Sequence, residues 1–156
     1  MASLALDRDT HPAHEHAPRP VSELIDSRAI IAELEQLAVG HRGGEGELRT
    51  ALAQRLKVAL IDGRAKAEKL LLKDRHGRRC AERLCRMEDE IIRIAFEFTR
   101  KHFYPSENPT EAEHMAVVAT GGYGRGLQAP GSDIDLLFLL PYKQTAWGES
   151  VAEAIL

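Results

Sequence analysis

The chain has 156 residues, a formal charge of −3, and 44% hydrophobic but only 5% aromatic residues. This is enough to bury a real core in one helix-leaning domain, with no excess of positive charge to draw it to nucleic acid or to an anionic membrane. Two cysteines, no secretory leader and no apolar run near roughly 18 residues fit a reducing, cytoplasmic setting.

Residues 1–20 are poor in apolar side chains and carry three prolines, a composition expected of a disordered N-terminal tail. His11, His14 and His16 read there as solvated residues, since no scaffold fixes them as metal ligands. A helical region is expected over 21–105. Its first helix should start at Ser22 as N-cap, with Glu23 and Asp26 in the acidic first turn, and run to about Val39. The apolar stripe is Leu24, Ile30, Ile31, Leu34, Leu37 and Ala38, and the glycines at 40, 43, 44 and 46 form a linker.

A second helix is expected from about Glu47 to Asp74. Leu48, Leu52, Leu56, Ala59, Gly63, Ala67 and Leu70 recur in it at spacings of three and four. Gly63 either weakens this helix or lets another helix approach. The third helix carries Cys80, Leu84, Met87, Ile91, Ile94, Ala95 and Phe98 on one face, and Pro105 stops the chain soon after Tyr104. On this pattern Cys80 and Cys85 are buried or idle thiols. Between Arg49 and Arg86 twelve Lys or Arg residues face four acids. That surplus is either an ordinary solvated surface or one that receives a nucleoside triphosphate or an acidic protein partner. With no interleaved aromatic residues, a nucleic-acid surface is disfavoured.

After a loop over Ser106 to Glu113, Met115 to Thr120 reads as a short buried strand entering Gly121 and Gly122. Paired glycines let the backbone turn sharply and approach a phosphate through its N–H groups. Tyr123 to Gln128 is expected to form a short helical turn whose positive end faces the same place. A second strand then opens with Ser132, Asp133, Ile134, Asp135 and Leu136. Strand alternation would put Asp133 and Asp135 on one face, with Cα atoms roughly 7 Å apart, and Ile134, Leu136 and Phe138 on the other. Carboxylates so spaced can converge on two divalent ions roughly 4 Å apart, an arrangement suited to transfer at phosphorus. An isolated Asp-x-Asp is more often a turn cap, but the glycines, Arg125 and the apolar run Leu136 to Leu140 narrow the pattern.

The glycine pair followed about ten residues later by SDIDL resembles the nucleotidyltransferase superfamily with the polymerase-beta-like fold. Within it, ATGGYGRG and APGSDIDLLFLLPYKQTAWGE are similar to the bacterial PII uridylyltransferase/uridylyl-removing enzymes, a family of bifunctional nitrogen sensors. The specific portion of the resemblance covers about Met115 to Glu149. It implies an α+β fold in which N-terminal helices precede the first strands of an incomplete nucleotidyltransferase sheet, with 106–156 as the truncated first part of that domain. By the same resemblance Asp133 and Asp135 are catalytic ligands of two Mg ions, and Gly121 and Gly122 hold the nucleotide phosphates. Ser132 caps the turn or touches a phosphate. Arg125 either neutralises phosphate charge or braces the turn through a carboxylate.

The implied reaction moves UMP from UTP to a tyrosine of the PII signalling protein, under control of glutamine sensed by downstream domains. Other implied features are a hydrolytic uridylyl-removing domain and a third carboxylate on a later strand, both beyond Leu156. The 156 residues are therefore expected to be an N-terminal fragment, inactive alone. The chain departs from the superfamily in two places: Gly122 stands where many members have Ser, and Gln128 stands where a hydrophobic residue, often Leu, is expected. Two other readings stay open. One is a fragment of a different nucleotidyltransferase, such as glutamine-synthetase adenylyltransferase or an antibiotic nucleotidyltransferase. The other is a noncatalytic module that binds PII or neighbouring domains.

Overall fold

The computed structural model describes residues 22–105, 114–140 and 144–156. The expected tail over 1–20, with its three histidines, and the loop at 106–113 lie outside them. The fold is α+β. Three helices, α1 (Ser27–Gly40), α2 (Glu45–Asp74) and α3 (Gly77–His102), precede β1 (Ala116–Ala119), a short α4 (Gly121–Gly124), β2 (Leu136–Leu139) and α5 (Ala146–Ile155).

The first helix begins later than the sequence suggests. Asp26, not Ser22, is its N-cap, with the side chain accepting from the Ala29 amide at 3.1 Å. Ser22 closes a smaller turn instead, its hydroxyl accepting from the Leu24 amide at 3.2 Å. The reason lies in packing: Leu24 leaves helical register to enter a core cluster with Ala67, Cys80, Leu84 and Met87. From α1, Ile30 and Leu34 join a second cluster with Leu48, Leu52, Leu56, Ala59, Ile94 and Phe98. Leu37, expected on that stripe, is 46% exposed.

Helices α2 and α3 form a hairpin. Arg75 ends α2 in the left-handed region at φ 53°. Asp74 consolidates the turn by accepting from the His76 amide at 3.0 Å and from Arg83 at 2.7 Å. Gly63 faces Met87 of α3 at close range. A Cβ there would clash with Met87 Sδ and lie 3.2 Å from Ile25. Both cysteines are buried and unpaired with each other.

The strands pair antiparallel, Ala116 opposite Leu139 and Ala119 opposite Leu136. One sheet face looks toward α3 across a cleft of about 180 Å³ lined by Asp89, Ile92, Phe96, Val117, Tyr123 and Leu136. The other carries exposed Val118, Leu137 and Leu139. Beyond β2, Thr145 caps α5 by accepting from the Gly148 amide at 3.1 Å, Val151 is fully buried, and the Trp147 indole donates to the Tyr104 carbonyl at 3.1 Å. No helix among the described residues is long and apolar enough to cross a membrane.

Within this core Glu88 is 1% exposed, with one oxygen 3.7 Å from Arg64 and the other without a hydrogen-bond partner. Burial pushes its carboxyl above the usual range, and Arg64 only partly opposes the shift. An acid whose folded pKa is raised stabilises the fold fully below its unfolded pKa and loses that contribution as pH rises through the folded value. Replacing Glu88 with Gln should therefore raise the melting temperature at pH 7 and flatten its decline from acid to neutral pH, as thermal denaturation across pH will show. Gly63→Ala gains roughly 1 kcal/mol of helix propensity but overpacks Met87 by roughly 1–3 kcal/mol. We expect a net loss in denaturant titration, reduced by coupling when Met87→Ala is combined with it.

Candidate functional site

The site grows from the end of the strand pair. The Thr120 amide donates to the Asp135 carbonyl at 3.0 Å, and the Thr120 hydroxyl reaches the same oxygen at 3.3 Å. This extends the pairing one residue past β1 and β2 and fixes the backbone of Asp135. The chain then turns at once into α4, so the helical turn starts at Gly121 and ends at Gly124, earlier than the expected Tyr123 to Gln128. Gly121 takes φ +59°, and a Cβ there would collide with Asp135 Oδ2. The Asp135 carboxylate thus occupies space that only glycine leaves open.

Asp133 and Asp135 do not open the second strand as the alternation argument required. Both precede β2 in irregular backbone and both are exposed. The reason is the turn before them: Gly131 at φ +80° and the Ser132 amide bonded to the Ala129 carbonyl at 3.1 Å keep this segment out of the ladder. Apolar sorting persists nonetheless. Ile134 and Leu136 line a groove with Leu56 and Ile91 of the helices, while the Asp135 carboxylate lies over Gly121.

The remaining expected residues fall around this turn. A Cβ on Gly122 would meet only ordinary contacts, 3.6 Å from the Leu127 carbonyl and 3.9 Å from an Arg125 nitrogen. Arg125 is exposed, and no carboxylate among the described residues pairs with it. Ser132 is exposed, and its main chain rather than its hydroxyl carries its hydrogen bonds. The first turn of α4 leaves the amides of Gly121 to Tyr123 without intrahelical acceptors.

Two residues, Gly124 and Tyr123, were given no role by the sequence reading, and a third, Gln128, stood out there only as a departure. Gly124 is required sterically, because a Cβ would lie 2.5 Å from the Ala119 carbonyl oxygen. Tyr123 is 4% exposed and donates to Asp89 of α3 at 2.6 Å. Burial, then the Asp89 carboxylate, push its phenol well above the ordinary range, so it stays a neutral donor. Gln128, expected to be apolar, is 2% exposed. Its side-chain amide donates to the carbonyls of Ser132 at 3.2 Å and Asp133 at 2.8 Å, and its backbone amide to Cys85 Sγ at 3.2 Å. The resemblance marked Gln128 only as a departure; a buried amide with its hydrogen bonds satisfied is what accommodates it.

No cluster of three or more His, Cys, Asp or Glu that could hold a metal occurs among the described residues. Two exposed carboxylates beside free backbone amides still suit a hard cation that keeps several waters and shares phosphate oxygens. Of the basic surplus on α2 and α3, Arg49, Arg55, Arg64, Arg78 and Arg83 are ion-paired with carboxylates within the chain. These five of the twelve therefore belong to paired helix faces.

A family model described as "nucleotidyltransferase domain" matches residues 107–152, a span that contains every residue of this site. A bifunctional uridylyltransferase/uridylyl-removing enzyme of Bradyrhizobium diazoefficiens is 63% identical over 136 residues, 87% of this chain and 15% of that protein. The chain is a homologue of such enzymes. Proteins with the same description from Rhodopseudomonas palustris and Nitrobacter hamburgensis are 57% and 59% identical, over 88% and 85% of this chain and 15% and 14% of theirs. The chain therefore spans about 15% of the length of the curated relatives it matches. No solved structure matches it.

The three glycines should respond unequally to alanine. Gly121→Ala meets left-handed strain of roughly 1–2 kcal/mol together with Asp135, and Gly124→Ala meets a carbonyl that cannot yield without backbone movement. Gly122→Ala should stay within about 0.5 kcal/mol of the parent. Thermal unfolding of the three variants will rank them.

Proposed function

We propose that this chain forms part of a uridylyltransferase and supplies the nucleotide- and metal-binding edge of its active site. The observation that carries the reading is the Asp135 carboxylate seated over Gly121 at the turn that also presents Asp133, within a sequence 63% identical to such an enzyme. In the proposed reaction a tyrosine hydroxyl of the PII protein attacks the α-phosphorus of UTP. The new O–P bond replaces the bond to the bridging oxygen, the hydroxyl proton is lost, and pyrophosphate leaves. Asp133 and Asp135 would hold the two Mg ions. When bound, these would neutralise charge on the attacking and leaving oxygens.

In this reading the backbone amides of Gly121 and Gly122 face the phosphates. Arg125, unpaired among the described residues, is free to neutralise them, which favours that role over bracing the turn. Ser132 holds the loop by its main chain. Residues 21–105 serve as a helical preface and 106–156 as the beginning of the transferase domain. The reaction belongs to a longer cytoplasmic polypeptide that also carries the third carboxylate, the uridylyl-removing activity and the response to glutamine. The relatives' names favour uridylyl over adenylyl transfer.

The test is Mg-dependent incorporation of labelled UMP from UTP into PII, with this chain beside a polypeptide extended through the remaining reading frame. The extended protein should transfer UMP and the 156-residue chain should not. Asp133→Asn and Asp135→Asn should each lower transfer roughly a hundredfold or more, the scale of removing a group that stabilises transition-state charge. Turnover by the short chain, or ATP in place of UTP as donor, would refute the reading.

A further inference from the structure

Asp135 and Asp133 are held by different means. Asp135 takes its place from the sheet, through the bonds that Thr120 makes to its carbonyl. Asp133 lies two residues earlier, outside the ladder, in a segment where Gly131 and the Ser132 turn give no sheet support. What reaches it is Gln128. One side-chain nitrogen spends its two N–H groups on consecutive carbonyls, those of Ser132 and Asp133. The orientation of this amide is fixed by its partners, because a flipped amide would set its oxygen against two carbonyl oxygens. Gln128 is itself anchored: it is 2% exposed, and its backbone amide bonds to Cys85 on α3. Its side-chain oxygen lies on the other side, 4.0 Å from the position of a Cβ on Gly122. The residue thus spans the two halves of the site.

We propose that Gln128 is a positioning residue for Asp133, fixing the backbone that carries this carboxylate relative to Asp135 and the glycine turn. The inference rests on the metal-binding reading above and goes beyond it by assigning an outer partner. An apolar side chain of equal size would fill the same space but leave the Ser132 and Asp133 carbonyls without this donor and the Asp133 segment free to reorient. Losing an outer partner of a metal ligand weakens metal binding roughly 10–100-fold.

The experiment titrates the 156-residue chain with Mn²⁺, followed by electron paramagnetic resonance, and compares it with Gln128→Leu, Gln128→Met, Asp133→Asn and Asp135→Asn. Carbonyl ¹³C signals of Ser132, Asp133 and Asp135 are recorded on the metal-free proteins, and thermal unfolding confirms that each variant is folded. Both Gln128 variants should weaken Mn²⁺ binding roughly tenfold. They should shift the Ser132 and Asp133 carbonyl signals while leaving that of Asp135 in place. Should Gln128→Leu misfold, Gln128→Met, which keeps length and volume without a donor, carries the test. Affinity equal to the parent's in the folded Gln128 variants, or unmoved Ser132 and Asp133 carbonyls, would overturn the proposal. Unchanged affinity in the two aspartate variants would overturn the metal reading and the inference with it. That failure is recognisable because the carbonyl shifts of the Gln128 variants would remain.

Discussion

The described fold leans on α3, a helix that must be buried from two sides at once. Toward α1 and α2 it offers Cys80, Leu84, Met87, Ile94 and Phe98, which complete both hydrophobic clusters. Toward the strands it offers Cys85 and Asp89, which take hydrogen bonds from Gln128 and Tyr123. The first set is held by loss of apolar surface to water, worth roughly 25 cal/mol per Å², and is indifferent to direction. The second is directional, and it sets where the glycine turn sits. A helix with apolar residues alone would have collected the other helices and left the site unplaced.

The division explains why the buried polar groups gather where they do. Glu88 and Asp89 are adjacent in sequence yet serve opposite sides, Glu88 toward Arg64 on α2 and Asp89 toward Tyr123 in α4. An apolar pair at these positions would spare the desolvation cost. It would also remove the acceptor that anchors the turn on which Asp135 rests. Stability and placement of the site thus compete within two consecutive residues.

Much of the helical layer was legible from spacing alone. Leu48, Leu52, Leu56, Ala59, Gly63 and Ala67 are the buried positions of α2, and Gly63 admits its neighbour as its missing side chain suggested. Periodicity reports burial, and burial drives these helices. It failed at Ser22, where a core leucine pulled the backbone out of helix, because a cap residue does not reveal where tertiary packing wants the chain to begin. In the site, the residue types were readable and their backbone was not. Asp133 and Asp135 were assigned to a strand that starts at Leu136, since alternation cannot see a turn closed by Gly131 and Ala129. Gln128 was visible as a departure from an expected apolar residue, but not its role: the position is core, and its amide is there for the hydrogen bonds.

Trp147 is the chain's single tryptophan, and its indole N–H is bonded to the backbone at Tyr104, just past the end of α3. It therefore sits on the joint between the helical layer and the segment that follows β2. Its fluorescence is a built-in reporter of that joint, readable without a label. Emission that reddens before far-ultraviolet ellipticity falls would mark undocking of α5 from intact helices, whereas coincident transitions would show that site and scaffold melt as one cooperative unit.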